Sequence, residues 1–314
     1  VPYYNVLLED ETGVFHLRKQ FGEPQIGEEF LEHAVQRQEM TIGVVGTGIM
    51  ATGLAALFLQ HQYPLVVIGR SDKSVERCKS QVRRMLLKGL DEGVVEDRFK
   101  GARFQTEVDG MGECDLIIES IVEDLDVKKD LLQRIERVCS QEAIFATNTS
   151  SLSIAELAKV LKYPERFLGL HFFNPVARMR LVEVVRGPKT SQETIHACVD
   201  LINAVDKDPI VINDSPCFIV NRILMPFLNE AVKVYQEGVA DAENIDKAAM
   251  LGLNHPIGPL ALIDLIGVDV FVKIMDNLNL FLGENYKPAS TAKNLVTEEK
   301  LGRKTGGGFY KYQG

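Results

Sequence analysis

The sequence predicts an α/β chain, a parallel sheet covered by helices and then a run of helices alone. Three observations carry that prediction. From Thr41 onward, short apolar runs alternate with amphipathic stretches, the pattern of successive βαβ units. A glycine-rich turn joins the first of these runs to the first helix. Beyond Asp214-Ser215-Pro216 the short runs stop, and long segments of helical apolar period take over. With 314 residues, 46% apolar and 25% charged, the chain can bury a sizeable core and form about two domains.

Residues 1–40 stand apart. Tyr4 to Leu8 and Val14 to Leu17 read as a small hairpin across Asp10-Glu11-Thr12-Gly13, followed by a charged helical stretch from Glu28 to Gln38. No chemistry attaches to this N-terminal extension. It reads as a packed extension or the tail of an upstream domain, with a partner-binding or regulatory role as the alternative. Thr41-Ile-Gly-Val-Val45 is then the first strand of the main body, a helix begins at Met50, and Leu65-Val-Val-Ile68 is the second strand. Further strands are expected at Cys114 to Ile118, Ala143 to Ala146, Arg166 to His171 and Leu181 to Val185, with helices at Lys128 to Val138 and Ile154 to Val160. Ile219 to Glu237, Ala242 to Leu251 and Leu260 to Leu278 are the helices of the second part. A boundary near 214 divides the body into residues 41–214 and an all-α C-terminal domain, 215–314.

Lys and Arg number 35 against 44 Asp and Glu, a net charge of −9 that argues against nucleic acid or an anionic membrane as a partner of the whole surface. The five cysteines, Cys78, Cys114, Cys139, Cys198 and Cys217, are odd in number and unclustered, which favours reduced thiols over a disulfide framework and offers no metal site. Neither a long apolar run nor a signal-peptide start is present, so a cytoplasmic protein without a membrane span is expected.

Gly46-Thr47-Gly48-Ile49-Met50-Ala51 lies between a strand and a helix, the context in which a G-x-G-x-x-A match has meaning. Gly46 permits the tight turn, Gly48 lets the backbone approach a pyrophosphate, and the helix N-terminus stabilises its charge. Residues 41–214 are therefore expected to be a doubly wound, Rossmann-type dinucleotide-binding domain, the alternative being a glycine turn with no nucleotide. An acid at the end of the second strand would accept hydrogen bonds from the adenosine ribose. Here that position is Gly69, followed by Arg70, Ser71 and Lys73. A cation and a hydroxyl there suit the 2′-phosphate of NADP(H) better than the bare ribose of NAD(H). The alternative is a solvated Arg70 and a weakly held NAD(H).

Gly169-Leu-His171-Phe-Phe-Asn174-Pro175 closes one strand and Leu181-Val-Glu183-Val-Val185 opens the next, so a chain reversal would bring His171 and Glu183 side by side. A carboxylate on one ring nitrogen leaves the other to take a substrate proton. Most histidines are surface or satisfied core residues, and His16, His33, His61, His196 and His255 are read as such.

These residues resemble the 3-hydroxyacyl-CoA dehydrogenase family. The likeness runs from about Thr41 to Tyr312, through Gly46-x-Gly48-x-Met50-Ala51, Ile118-Glu-Ser-Ile-Val-Glu123, Asn148-Thr-Ser-Ser151, His171-Phe-Phe-Asn-Pro175, Pro216-Cys-Phe-Ile-Val-Asn-Arg222, Gly258-Pro259 and Lys304-Thr-Gly-Gly-Gly-Phe309. The resemblance implies that His171 is the general base or acid and Glu183 its orienting partner. It implies that Ser150 bonds the substrate 3-oxygen with Asn221 beside it, and that Glu123 and Lys128 face the nicotinamide end of the coenzyme. Ile49, Met50, Asn148 and Asn174 complete the implied coenzyme contacts. Ala51, Gly69 and Cys217 depart from the family pattern, where Gly, Asp and Gly are usual.

The expected activity is interconversion of an (S)-3-hydroxyacyl-CoA and its 3-ketoacyl-CoA with a nicotinamide coenzyme, NADP(H) favoured over NAD(H). Two alternatives stay open: the same chemistry on an acyl-carrier-protein thioester, and a non-catalytic nucleotide-sensing or interaction protein. Taken alone, Ser150 and Asn221 also read as caps and Glu183 as a solvent-facing strand residue. Arg77, Lys79, Arg83, Arg84 and Lys88 read as a solvated face or as contacts to coenzyme A phosphates. The resemblance also implies a homodimer through the helical domain, with Phe227 to Tyr235 and Leu260 to Met275 available either to form it or to fill the core.

Overall fold

A computed structural model describes residues 6–9, 15–18 and 40–312. The chain divides into two compact units, residues 1–39 and 40–314. In the first, β1 (Val6–Glu9) pairs antiparallel with β2 (Phe15–Arg18), Val6 opposite Arg18 and Glu9 opposite Phe15, so the expected hairpin is present. The helical stretch expected at 28–38 lies outside the described residues.

In the second unit β3 (Ile42–Val45) turns into α1 (Ile49–Gln60), followed by β4 (Leu65–Ile68), α2 (Asp72–Leu86), α3 (Glu92–Lys100) and β5 (Ala102–Gln105). The chain continues through β6 (Leu116–Glu119), α4 (Leu125–Glu136), β7 (Ile144–Thr147), α5 (Ile154–Ala158) and β8 (Phe167–Phe172). It closes the sheet with β9 (Leu181–Arg186), α6 (Gln192–Ala204) and β10 (Asp208–Asn213). The strand order is β10-β9-β8-β7-β6-β3-β4-β5. From β3 to β8 all pairings are parallel, in the doubly wound order whose sequence of strands reverses between β3 and β6.

β9 makes the expected chain reversal: it runs antiparallel to β8, within an otherwise parallel sheet, and parallel to β10. The reason is length. Residues 173–180 cannot contain the crossover of about a dozen residues or more that a parallel neighbour requires, so the chain turns back on itself.

The central strands are apolar and β-branched because both faces are covered: every residue of β3, β4 and β6 is buried. One core layer joins the sheet to α1, α2 and α6, and the other joins it to α4 and α5. Ala51 to Leu59 of α1 are all buried, and the helix lies so close to residue 176 that a Cβ on Gly53 would stand 2.8 Å from Val176 Cγ2. By contrast α2 buries only Val75, Cys78, Val82 and Leu86. That single stripe leaves the basic residues of α2 outside.

After β10 the chain is helical: α7 (Val220–Gln236), α8 (Ala242–Gly252), α9 (Pro259–Ile266), α10 (Val268–Leu282) and α11 (Ser290–Thr297). The expected single helix from 260 to 278 is two helices, because Gly267 takes φ +107° between them. Met225, Leu228, Val232, Leu260, Ile263, Phe271, Met275 and Leu278 form this core. Most apolar residues of the two segments considered for dimerisation are thus used internally. Among the described residues no helix is long and apolar enough to cross a membrane.

Candidate active site

The glycine turn after β3 sits where the strand order reverses, the crevice in which open α/β sheets bind ligands. Gly46 has φ +131°, and a side chain there would collide with the Ser120 carbonyl of the neighbouring β6 loop. Gly48, the residue before α1, is exposed and open: a Cβ there would meet nothing within 4 Å. Ile49 is exposed and Met50 half-buried at the first turn of α1, whose leading N–H groups have no partner within the helix. A glycine cradle against a helix N-terminus fits the pyrophosphate of a dinucleotide.

At the end of β4 the chain passes from buried Gly69 to exposed Arg70. Gly69 is buried, and a Cβ there would lie 2.5 Å from Val75 Cγ2 and 2.7 Å from Thr47 Cγ2. No side chain fits inward at 69, so the first one to project beyond the strand is that of exposed Arg70. Ser71 is the N-cap of α2, its Oγ accepting from Ser74 N while Ser74 Oγ accepts from Ser71 N. On α2 itself, Arg83 is engaged with Glu92 and Glu96 of α3.

β6 ends in a carboxylate that the fold buries completely. Glu119 accepts from Thr147 Oγ1 at 2.7 Å, from Ile121 N at 2.7 Å and from Lys128 Nζ at 2.6 and 2.8 Å. Glu119 and Lys128 are both 0% exposed. Lys128 is thus shielded from solvent, and its Nζ reaches the half-buried Glu123 at 3.6 Å. Glu123 Oε1 collects donors from a single turn: Thr149 Oγ1 at 2.5 Å, Ser150 N at 2.9 Å and Oγ at 3.3 Å, Ser151 N and Oγ at 3.2 Å. Burial works to raise the Glu123 pKa, but the Lys128 charge and these hydrogen bonds outweigh it and hold the carboxyl below its usual range. Asn148 is similarly committed, donating to Ser120 Oγ at 3.1 Å and accepting from Phe172 N at 3.1 Å.

On β8 and β9 the antiparallel register pairs His171 with Glu183. His171 Nδ1 lies 2.6 Å from Glu183 Oε2, and both residues are buried. The imidazole is flanked by Phe173 and Phe218, ring centroids 4.4 and 5.5 Å away. Glu183 Oε1 accepts from Ile219 N and Val220 N, both at 3.0 Å, at the start of α7. Burial opposes the Glu183 charge, yet the His171 bond and the Val220 and Ile219 amides hold its pKa below the usual range. The next residue, Asn221, donates through Nδ2 to Ser150 O across a long 3.4 Å. The connection His171, Glu183, start of α7, Asn221, Ser150, Glu123 thus ties four of the expected residues to the turn after β7. Cys217 and Phe218, before α7, both have φ +60°, the left-handed region that glycine occupies without strain. Burial, with the Glu123 charge next, pushes the Cys217 thiol up to about 11.

Asn174 is exposed in the 173–180 turn and precedes Pro175 through a cis bond. Sequence reading passed over Glu119, Thr149 and Ser151, which complete the polar network, and over the α7 amides. An acid closing an all-apolar strand, as in Leu116-Ile-Ile-Glu119, was the available signal, because a buried carboxylate demands partners.

Residues 41–215 match the family model described as 3-hydroxyacyl-CoA dehydrogenase, NAD binding domain, and residues 218–312 match 3-hydroxyacyl-CoA dehydrogenase, C-terminal domain. The chain is 40% identical over 278 residues to a probable 3-hydroxybutyryl-CoA dehydrogenase of Deinococcus radiodurans, covering 87% of this chain and 100% of that protein. It is 37% identical over 285 residues to the mitochondrial hydroxyacyl-coenzyme A dehydrogenase of Mus musculus, covering 87% and 91%. The crystal structure of (S)-3-hydroxybutyryl-CoA dehydrogenase PaaH1 from Ralstonia eutropha superposes with a TM-score of 0.85 at 39% identity, covering 87% of this chain and 99% of that one. By sequence along both of its family segments and by fold, this chain belongs to the 3-hydroxyacyl-CoA dehydrogenase family.

Proposed function

We propose that the chain interconverts an (S)-3-hydroxyacyl-CoA and the corresponding 3-ketoacyl-CoA, with His171 as the proton carrier. The observation that carries this reading is the buried 2.6 Å bond between His171 Nδ1 and Glu183 Oε2. A nicotinamide coenzyme held at the Gly46 and Gly48 turn supplies the hydride acceptor or donor. The residues of the chain handle the proton and the oxygen. In oxidation the substrate hydroxyl gives its proton to His171 Nε2 as hydride leaves C3, and Glu183 fixes the tautomer and stabilises the resulting imidazolium. In reduction the same nitrogen returns the proton to the 3-oxygen. Ser150 and Asn221 orient that oxygen, and Glu123 holds the Ser150 turn. Phe173 and Phe218 keep water from the imidazole.

The names of the relatives favour a coenzyme A thioester as substrate. In the same reading residues 41–214 bind the coenzyme, 215–314 cover the substrate, and two copies pair through the helical part. Exposed Leu251, Leu253, Leu280 and Phe281 support that pairing. Arg70 favours NADP(H), since an exposed guanidinium at the strand end pairs with a 2′-phosphate.

Acetoacetyl-CoA reduction, followed separately with NADH and NADPH, tests the reading. His171→Gln should lower kcat by about 10²-fold or more at nearly constant coenzyme affinity. Near-normal turnover would show that another group moves the proton.

A further inference from the structure

The entrance to α7 goes against local preference at three consecutive residues. Cys217 and Phe218 both take φ +60°, a conformation that is costly for a residue with a Cβ and uncommon outside glycine, asparagine and aspartate. Ile219, the residue before the helix, is β-branched and apolar and offers no side-chain cap to the first N–H groups. Strain of this kind persists only where the surrounding structure over-determines it. Here the two left-handed residues are anchored in different cores. Cys217, one of the positions at which the chain departs from the family pattern, lies with Met225 and Leu228 in the core of the helical part. Phe218 lies with Ile154 and Val185 in a core layer of the sheet. Cys217 is 1% and Phe218 2% exposed, so neither side chain is free to swing.

The strained backbone does something specific. A left-handed residue followed by a right-handed one, Phe218 and then Ile219 at φ −93° and ψ −59°, turns successive N–H groups to one side, and such a concavity binds anions. The anion it holds is the Glu183 carboxylate, whose Oε1 accepts from Ile219 N and Val220 N at 3.0 Å each. Glu183 therefore caps α7 from another strand, and its second oxygen is left for His171. The same turn lays the Phe218 ring 5.5 Å from the imidazole, centroid to centroid.

We propose that the Cys217–Phe218 turn is a positioning element for proton transfer: its left-handed backbone, pinned in two cores, aims two amides at Glu183 and so fixes the carboxylate that orients His171. It rests on the reading that His171 carries the proton, and in it Cys217 acts through the backbone alone, without contact to substrate or coenzyme.

The test is kcat for 3-hydroxybutyryl-CoA oxidation, with circular dichroism to establish that each variant is folded. Replacing Val220 by its α-hydroxy acid analogue turns one peptide bond into an ester, which removes the Val220 N–H and keeps every side chain. Its kcat should fall by about fivefold or more, with the coenzyme KM changed by less than about threefold. Cys217→Val introduces a β-branched residue that resists positive φ, and Cys217→Gly one that adopts it freely, so kcat of the glycine variant should exceed that of the valine variant by about tenfold. In a Glu183→Gln background the proton already sits on the wrong imidazole nitrogen, so the ester should lower kcat by less than about twofold further. A parental kcat in the ester variant overturns the proposal, and so does an ester effect that is undiminished in Glu183→Gln. Equal kcat in folded Cys217→Val and Cys217→Gly overturns it as well; if the valine variant does not fold, the ester and its Glu183→Gln partner decide. Near-normal turnover in His171→Gln removes the underlying reading instead. A large loss there beside a parental ester variant leaves that reading standing and overturns only the role of the turn.

Discussion

His171 on β8 and Glu183 on β9 are direct partners in an antiparallel ladder, and the 2.6 Å bond between Nδ1 and Oε2 follows from that register. A slip of one residue would send Glu183 to the opposite face of the sheet. The other oxygen of Glu183 is bound by Ile219 N and Val220 N, so one carboxylate both orients the imidazole and fixes the start of α7. In Glu183→Gln the amide oxygen can still serve those two N–H groups, but its NH₂ then faces His171 Nδ1 and selects the tautomer with the proton on Nε2. That tautomer cannot accept the substrate proton. The expected loss in kcat for 3-hydroxybutyryl-CoA oxidation is roughly 10²–10⁴-fold, with coenzyme KM little changed. A kcat within threefold of the parent would remove Glu183 from the reaction.

The same carboxylate couples stability to acid. The pKa of Glu183 is depressed in the folded chain, because hydrogen bonds from His171 and the α7 amides outweigh its burial. A depressed carboxyl pKa contributes stability that is complete above the unfolded value, about 4.3, and is lost as pH falls through the folded one. Glu123 acts in the same direction. Urea unfolding between pH 6 and 3 should therefore show a decline that sets in near pH 4.3 and is shallower in Glu183→Gln. Parallel slopes for parent and variant would show that other carboxylates dominate.

Coenzyme choice should respond to position 70 and not to position 69. Arg70→Asp replaces a phosphate partner with a ribose acceptor, and the ratio of kcat/KM for NADPH over NADH should fall by about tenfold or more. Gly69→Asp should instead destabilise the fold, since its Cβ would press on Val75 and Thr47. If Arg70→Asp leaves the ratio unchanged, the strand-end cation does not read the coenzyme.

The doubly wound sheet was legible because its central strands carry uninterrupted apolar runs, such as Leu65-Val-Val-Ile68, and because the glycine turn marks the first βα junction. The two strands that were not anticipated, β5 and β10, are the two edges of the sheet. Ala102-Arg-Phe-Gln105 is only partly covered and Asp208-Pro-Ile-Val-Ile-Asn213 is largely exposed, so neither carries the apolar run that announces a buried strand. The break at Gly267 was hidden by an apolar period that continues across it. At the site, the nearness of His171 and Glu183 followed from a short connection between two strands. The depth of Lys128 did not, because burial of a lysine depends on Glu119 and Thr147, which come from two other strands. The crowding of Gly69 by Thr47 and Val75 was not legible, because it is a contact between separate elements.

Stability of the helical part should depend on Asp264 of α9. This carboxylate is 1% exposed and accepts from Phe309 N at 3.0 Å, Tyr310 N at 2.9 Å and Tyr312 Oη at 3.0 Å, drawing the C-terminal segment onto the bundle. Any side chain on Gly302 or Gly308 would collide with Asp264, which explains why these two positions are glycine. Asp264→Ala strands two backbone donors at a cost of about 1–3 kcal/mol each when they stay buried, partly relieved if the segment detaches, for a net loss of about 2–4 kcal/mol. Calorimetry should register a Tm lower by about 5–10 °C. Because Asp264 is remote in the hydrogen-bond network from His171, kcat per folded molecule at low temperature should remain close to the parent value. An unchanged Tm would mean that the segment is held by Tyr235 packing on Phe309 and by the Tyr310 bond to Asp246 alone.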